Sequence, residues 1–148
     1  MPEVTVGNVV APQQPQPQPQ SQSQKTILIV EDEPLLSTLL KQRFEKSGYR
    51  VLIAVNGEVA LKTVQAELPN LILLDIILPK VSGFEFMERV RQDPQTSQVP
   101  IIVTSNLGQE SDIKKGRELG AVGYFVKAQV SIEDLVREVA KYLQSDNK

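Results

Sequence analysis

Five short runs of apolar and β-branched residues, at 27–30, 51–55, 71–74, 101–103 and 124–126, recur along the chain with segments of helical period between them. Runs of this length without apolar–polar alternation suit strands buried on both faces, and such strands belong to parallel sheets whose helical crossovers cover each side. The pattern predicts an α/β fold with five parallel strands and five helices. Behind Pro34, which suits a first helical turn, Leu35, Leu36, Leu39, Leu40 and Phe44 recur at three- and four-residue spacing and predict one apolar helix face. Ile132, Leu135, Val136, Val139, Tyr142 and Leu143 predict another, opened by Ser131 with Asp134 three residues on. Further helices are expected at about 57–67, 84–91 and 110–119. The last should be the least firmly packed. Its large apolar residues are Ile113 and Leu119, and an interior Gly116 costs about 1 kcal/mol relative to Ala.

Residues 1–24 are of another kind. They hold five of the ten prolines, seven glutamines and one charged residue, too little apolar surface to offset chain ordering. The expectation is a disordered Pro/Gln-rich tail followed by one globular domain over 25–148. Pro12 and Pro15 have Pro-x-x-P spacing, but the tail carries no flanking base, which favours a linker over a ligand.

Composition then removes whole classes of chemistry. With no Cys and no His, there is no disulfide, thiolate or imidazole nucleophile, Cys/His zinc site or imidazole-based triad. A formal charge of −2, from 16 basic and 18 acidic residues, supplies no positive field for nucleic acid or anionic membrane. The longest unbroken apolar stretch, 51–55, falls far short of the roughly 20 residues of a membrane span. Neither direct nucleic-acid nor membrane contact is expected, and the absence of a secretory leader pattern points to the cytoplasm.

In an open parallel sheet, ligands gather beyond the carboxyl ends of the strands. Those ends carry Glu31-Asp32-Glu33, Asp75, Thr104-Ser105 and Lys127, so carboxylates, a hydroxyl and an ammonium converge on one edge. Asp75 stands out because it interrupts an apolar stretch, where an unpaired carboxylate is expensive. A strand-end Asp also serves to cap a backbone or to pair with Lys127 for stability alone, and an acidic run before a helix also partners the helix dipole; both alternatives stay open. Carboxylates crowded at one edge repel one another, and an oxygen-loving divalent cation makes them compatible. Mg²⁺ fits, since it binds through one or two carboxylates plus water and phosphate oxygens and leaves a carboxylate oxygen to attack phosphorus.

The segments Ile27-Leu28-Ile29-Val30-Glu31-Asp32-Glu33-Pro34, Leu73-Leu74-Asp75-Ile76-Ile77-Leu78-Pro79 with Gly83, Ile102-Val103-Thr104-Ser105, and Gly123-Tyr124-Phe125-Val126-Lys127 resemble the receiver domain of two-component response regulators. The resemblance covers about residues 25–144 and implies a flavodoxin-like, doubly wound sheet of order 2-1-3-4-5. It implies that Asp75 accepts the phosphoryl group, that Asp32 binds Mg²⁺ directly and Glu31 through a water, and that the Ile77 backbone carbonyl is a further ligand. Thr104 and Lys127 would meet the phosphoryl group, and Tyr124 would swing inward when Thr104 moves.

Two departures stand out: Ala128 replaces the family's usual cis proline after the lysine, and Ile77, which with Asn106 occupies positions that tune phosphoryl lifetime, has no group to orient a water. The expectation is a stand-alone switch that takes a phosphoryl group from a sensor histidine kinase or a histidine phosphotransfer protein. It would catalyse only its own phosphorylation and dephosphorylation, and would bind a downstream protein through the fourth helix, fifth strand and fifth helix. The alternatives are a phosphorylation-independent adaptor of the same fold and an aspartyl-phosphate phosphatase. The phosphatase is disfavoured because Ile77 stands where such sites place a second Asp.

Overall fold

Alternation along each strand sorts the apolar side chains into two cores, and the helices follow from which core they cover. The computed structural model describes residues 24–145; apart from Gln24, the expected tail lies outside the described residues. In chain order the elements are β1 (Thr26–Val30), α1 (Pro34–Lys46), β2 (Arg50–Ala54), α2 (Gly57–Glu67), β3 (Leu71–Leu74), α3 (Gly83–Gln92), β4 (Ile101–Ser105), α4 (Glu110–Glu118), β5 (Ala121–Val126), a 3₁₀ turn (Lys127–Gln129) and α5 (Ile132–Ser145). The five strands form one parallel sheet of order β2-β1-β3-β4-β5, the arrangement expected from the sequence. β1, β3 and β4 are buried along their whole lengths, as the middle strands of such a sheet must be.

On one face Leu28, Val30, Ile72 and Leu74 pack with Ala60 and Val64 of α2 and with Phe86 and Val90 of α3. On the other, Ile27, Ile29, Leu71 and Leu73 pack with Leu40 and Phe44 of α1 and with Leu135, Val139 and Leu143 of α5. Each of these side chains larger than alanine contributes roughly 1.5–3 kcal/mol by leaving water. The expected apolar face of α1 needs correction. Leu35 is 79% exposed and Leu39 45%, while Ser37 is buried and its hydroxyl donates to the Pro34 carbonyl at 3.1 Å. The inward line is Leu36, Leu40 and Phe44, spaced by four; Leu35 and Leu39 lie off it and face outward. Tyr142 of α5 is likewise partly exposed, and Val55 lies beyond the end of β2 and is exposed.

Helix starts are set locally. Asn56 accepts from the Val59 N–H at 2.8 Å, Ser82 from that of Glu85 at 3.2 Å, and Ser131 and Asp134 make the reciprocal pair expected of them. Among the described residues no helix is long and apolar enough to cross a membrane.

Candidate functional site

Register alone lines up the strand ends. Val30 pairs with Leu74 and Leu74 with Val103, so one step further along, Glu31, Asp75 and Thr104 stand side by side. Thr104 in turn pairs with Phe125, two residues before Lys127. Glu31, Asp75 and Thr104 are 2%, 5% and 3% exposed, whereas Asp32 is exposed at the rim. Carboxylate oxygens of Glu31, Asp32 and Asp75 lie within 4.8 Å of one another.

Lys127 provides the cation of this cluster. Its Nζ lies 2.9 Å from Asp75 Oδ2, 2.9 Å from Glu31 Oε1 and 3.5 Å from Glu33 Oε1. Burial alone would pull its ammonium down; hydrogen bonds to Asp75 and Glu31 outweigh that and hold it above the ordinary lysine range. Burial pushes the Glu31 carboxyl up, and Lys127 offsets only part of the rise. The other Asp75 oxygen, Oδ1, accepts the Ile77 N–H at 3.0 Å, while the Ile77 side chain is 55% exposed. Gly83, first residue of α3, holds this loop in place: its N–H donates to the Ile76 carbonyl at 2.8 Å, and a Cβ there would come 2.5 Å from Ile76 Cα.

The peptide bonds of the described residues are all trans, including Lys127–Ala128. Lys127 reaches Asp75 with a trans bond after it, from the first position of the 3₁₀ turn that follows β5. Tyr124 pairs across the sheet with Val103, not with Thr104, and its hydroxyl donates to the Leu107 carbonyl at 2.6 Å. The segment from Ser105 to Leu107 therefore lies between Thr104 and the carbonyl that Tyr124 holds. Ser105 Oγ accepts the Leu107 N–H at 3.3 Å in that same segment.

The donor set suits a hard divalent cation. Three carboxylates from β1 and β3 face one ammonium, which leaves surplus negative charge, and every donor is oxygen. Sequence reasoning brought together Glu31, Asp32, Asp75, Thr104 and Lys127, and the structure places them on one edge. It missed Glu33 as a partner of Lys127. The signal was there: Glu33 stands at the N-cap of α1 with no side-chain cap bond, so its carboxylate is left to face the lysine.

Residues 27–140 match the family model described as the response regulator receiver domain. The chain is 44% identical over 103 residues to the alkaline phosphatase synthesis transcriptional regulatory protein PhoP of Bacillus subtilis (strain 168), covering 70% of this chain and 42% of that protein. It is 43% identical over 101 residues to the phosphate regulon transcriptional regulatory protein PhoB of Rhizobium meliloti (strain 1021), covering 68% and 44%. The chain thus spans less than half the length of these curated relatives. Both are named as transcriptional regulators, which does not fit an expectation of no nucleic-acid contact for proteins of that full length.

Among solved structures, a CheY-like response regulator receiver domain protein from Methanospirillum hungatei JF-1 superposes with a TM-score of 0.77 at 28% identity, over 84% of this chain and 97% of that one. The Mn²⁺-bound form of response regulator Rcp1 superposes at 0.68 with 31% identity, over 79% and 90%.

Proposed function

The chain belongs to the response regulator receiver domain family, and on that premise we propose that it is a phosphorylation-operated switch of a two-component phosphorelay, charged on Asp75. The observation that carries this reading is the buried Asp75 carboxylate, held by the Ile77 N–H on one oxygen and by Lys127 on the other, beside Glu31 and Asp32.

The phosphoryl donor is the phosphohistidine of a sensor kinase or phosphotransfer protein. An Asp75 oxygen forms the new P–O bond while the P–N bond breaks and its electron pair stays with the departing imidazole. Glu31, Asp32 and Asp75 would hold Mg²⁺, which when bound neutralises charge on the carboxylates and phosphate oxygens. The Ile77 N–H fixes the plane of the carboxylate, so the attacking oxygen is oriented before the donor arrives. Lys127 then turns from the carboxylates to the phosphoryl oxygens. The Thr104 hydroxyl, already buried beside Asp75, donates to the same group and draws the segment toward Leu107 with it. A change there reaches Tyr124 and α4, and the face of α4, β5 and α5 meets the downstream protein. The chain acts on no substrate besides its own aspartate, and its setting is the cytoplasm.

Intact-mass measurement after incubation with Mg²⁺ and acetyl phosphate tests the proposal. One phosphoryl mass should appear in the wild type, vanish in Asp75→Asn and persist in Thr104→Ala. No mass gain in the wild type would leave a phosphorylation-independent adaptor as the reading of this fold.

A further inference from the structure

Helix α4 has one buried residue, and it is a glycine. Gly116 sits where a Cβ would lie 2.9 Å from Cδ2 and 3.1 Å from Cε2 of the Tyr124 ring. Glycine is disfavoured in a helix interior, where alanine is the best residue, so its presence where α4 packs against the Tyr124 ring needs a reason. The ring supplies it, because its edge occupies the space of the missing methyl group and has no flexible end to move aside.

The two ends of α4 are held differently. Beyond its C-terminus, the Leu119 and Gly120 carbonyls each accept from the Arg91 guanidinium at 3.1 Å. Before its N-terminus, the Leu107 carbonyl accepts from the Tyr124 hydroxyl at 2.6 Å. The same tyrosine thus carries α4 on its ring and holds the incoming segment by its hydroxyl.

We infer that Gly116 is a positioning residue that seats the Tyr124 ring beneath α4 and thereby sets the resting position of the segment from Leu107 to Ile113. The inference rests on the switch reading above for its functional meaning, since that segment adjoins Thr104. A methyl group at 116 forces ring and helix apart. Arg91 holds the C-terminal end, so the displacement appears at the N-terminal end, where it breaks the Tyr124–Leu107 bond without any phosphoryl group.

The test is a mutant cycle on the unphosphorylated protein. Gly116→Ala should lower the thermal midpoint in the wild type and in Tyr124→Phe, which keeps the ring. In Tyr124→Ala it should raise the midpoint, because only the helix preference remains. Amide exchange should quicken about tenfold over 107–113 in Gly116→Ala and stay within about twofold at 119–121.

The same sign of thermal shift in the Tyr124→Ala background, or faster exchange at both ends of α4, overturns the inference. If Gly116→Ala alone fails to fold, folding of the double variant with Tyr124→Ala supports it, and failure of both overturns it. Because none of these measurements involves Asp75, a wild type that takes no phosphoryl mass would sink the switch reading while leaving the seat itself tested.

Discussion

The ammonium of Lys127 lies 2.9 Å from Oδ2 of Asp75, with Oε1 of Glu31 at the same distance on its other side. One cation thus serves two buried carboxylates drawn from different strands. Removing it leaves both without a counter-charge, and a broken buried ion pair costs about 3 kcal/mol or more. Lys127→Met should lower the free energy of unfolding by about that amount in metal-free buffer, measured by urea titration. Millimolar Mg²⁺ should restore more stability to the variant than it adds to the wild type. Equal metal-free stabilities would mean the three groups do not form one charge cluster.

Asp32 is the exposed member of the acidic cluster. Mg²⁺ bound to the folded state alone should raise the wild-type midpoint with concentration, by about 2.7 kcal/mol of stability at a hundredfold excess over Kd. Asp32→Asn should cut that rise sharply while leaving the metal-free protein as stable as before or more so, because a like charge has gone. Identical wild-type melting curves with and without Mg²⁺ would argue against a cation at this edge.

Burial, with the charges of Asp112 and Asp75 adding to it, pushes the Tyr124 phenol above its ordinary value of 10.0. The folded state thus favours the neutral phenol, and the stability it contributes is complete below pH 10.0 and is lost as pH rises through the folded value. Wild type should therefore lose stability relative to Tyr124→Phe as pH rises above 10.0, followed by urea midpoints. Parallel curves for the two proteins would show that the phenol titrates alike in both states.

Arg91 donates to the Ser97, Val99, Leu119 and Gly120 carbonyls, tying the approach to β4 to the turn before β5. A lysine has no planar fork with which to reach these oxygens. Arg91→Lys should cost about 2 kcal/mol and Arg91→Ala somewhat more, read by chemical denaturation. Gly120→Ala should fail at the same place: its φ is +95°, and a Cβ would come 2.7 Å from Arg91 Nε. An Arg91→Lys protein as stable as the wild type would show these bonds to be dispensable.

The strands and the acidic edge were legible because both follow from rules of short range. An apolar run of three to five residues is enough to mark a strand, and in the strand order that the receiver resemblance implies parallel register puts Glu31, Asp75 and Thr104 in line. The outward turn of Leu35 and Leu39 was not legible, since the same three- and four-residue spacing fits more than one stripe along α1 and only the sheet beneath decides which is buried. Gly116 read as a defect for a related reason: its justification is a ring on another element, eight positions away in the chain. Nothing in the sequence around Arg91 announced four backbone oxygens drawn from two separate turns. Asp112 caps α4 by accepting the Gln109 N–H at 3.2 Å, yet a glutamine in the cap position falls outside the usual Ser/Thr signature.

The site draws its groups from the ends of β1, β3, β4 and β5, and no two of those strands are joined by a hairpin. A nascent or partly melted chain holds the Asp75 carboxylate but not the ammonium of Lys127, which stands 52 residues further on. On the proposed switch reading, competence to be charged therefore requires β1, β3, β4 and the edge strand β5 to be assembled together. On that same reading damaged copies would fall silent rather than signal falsely, and the topology itself would proofread the message.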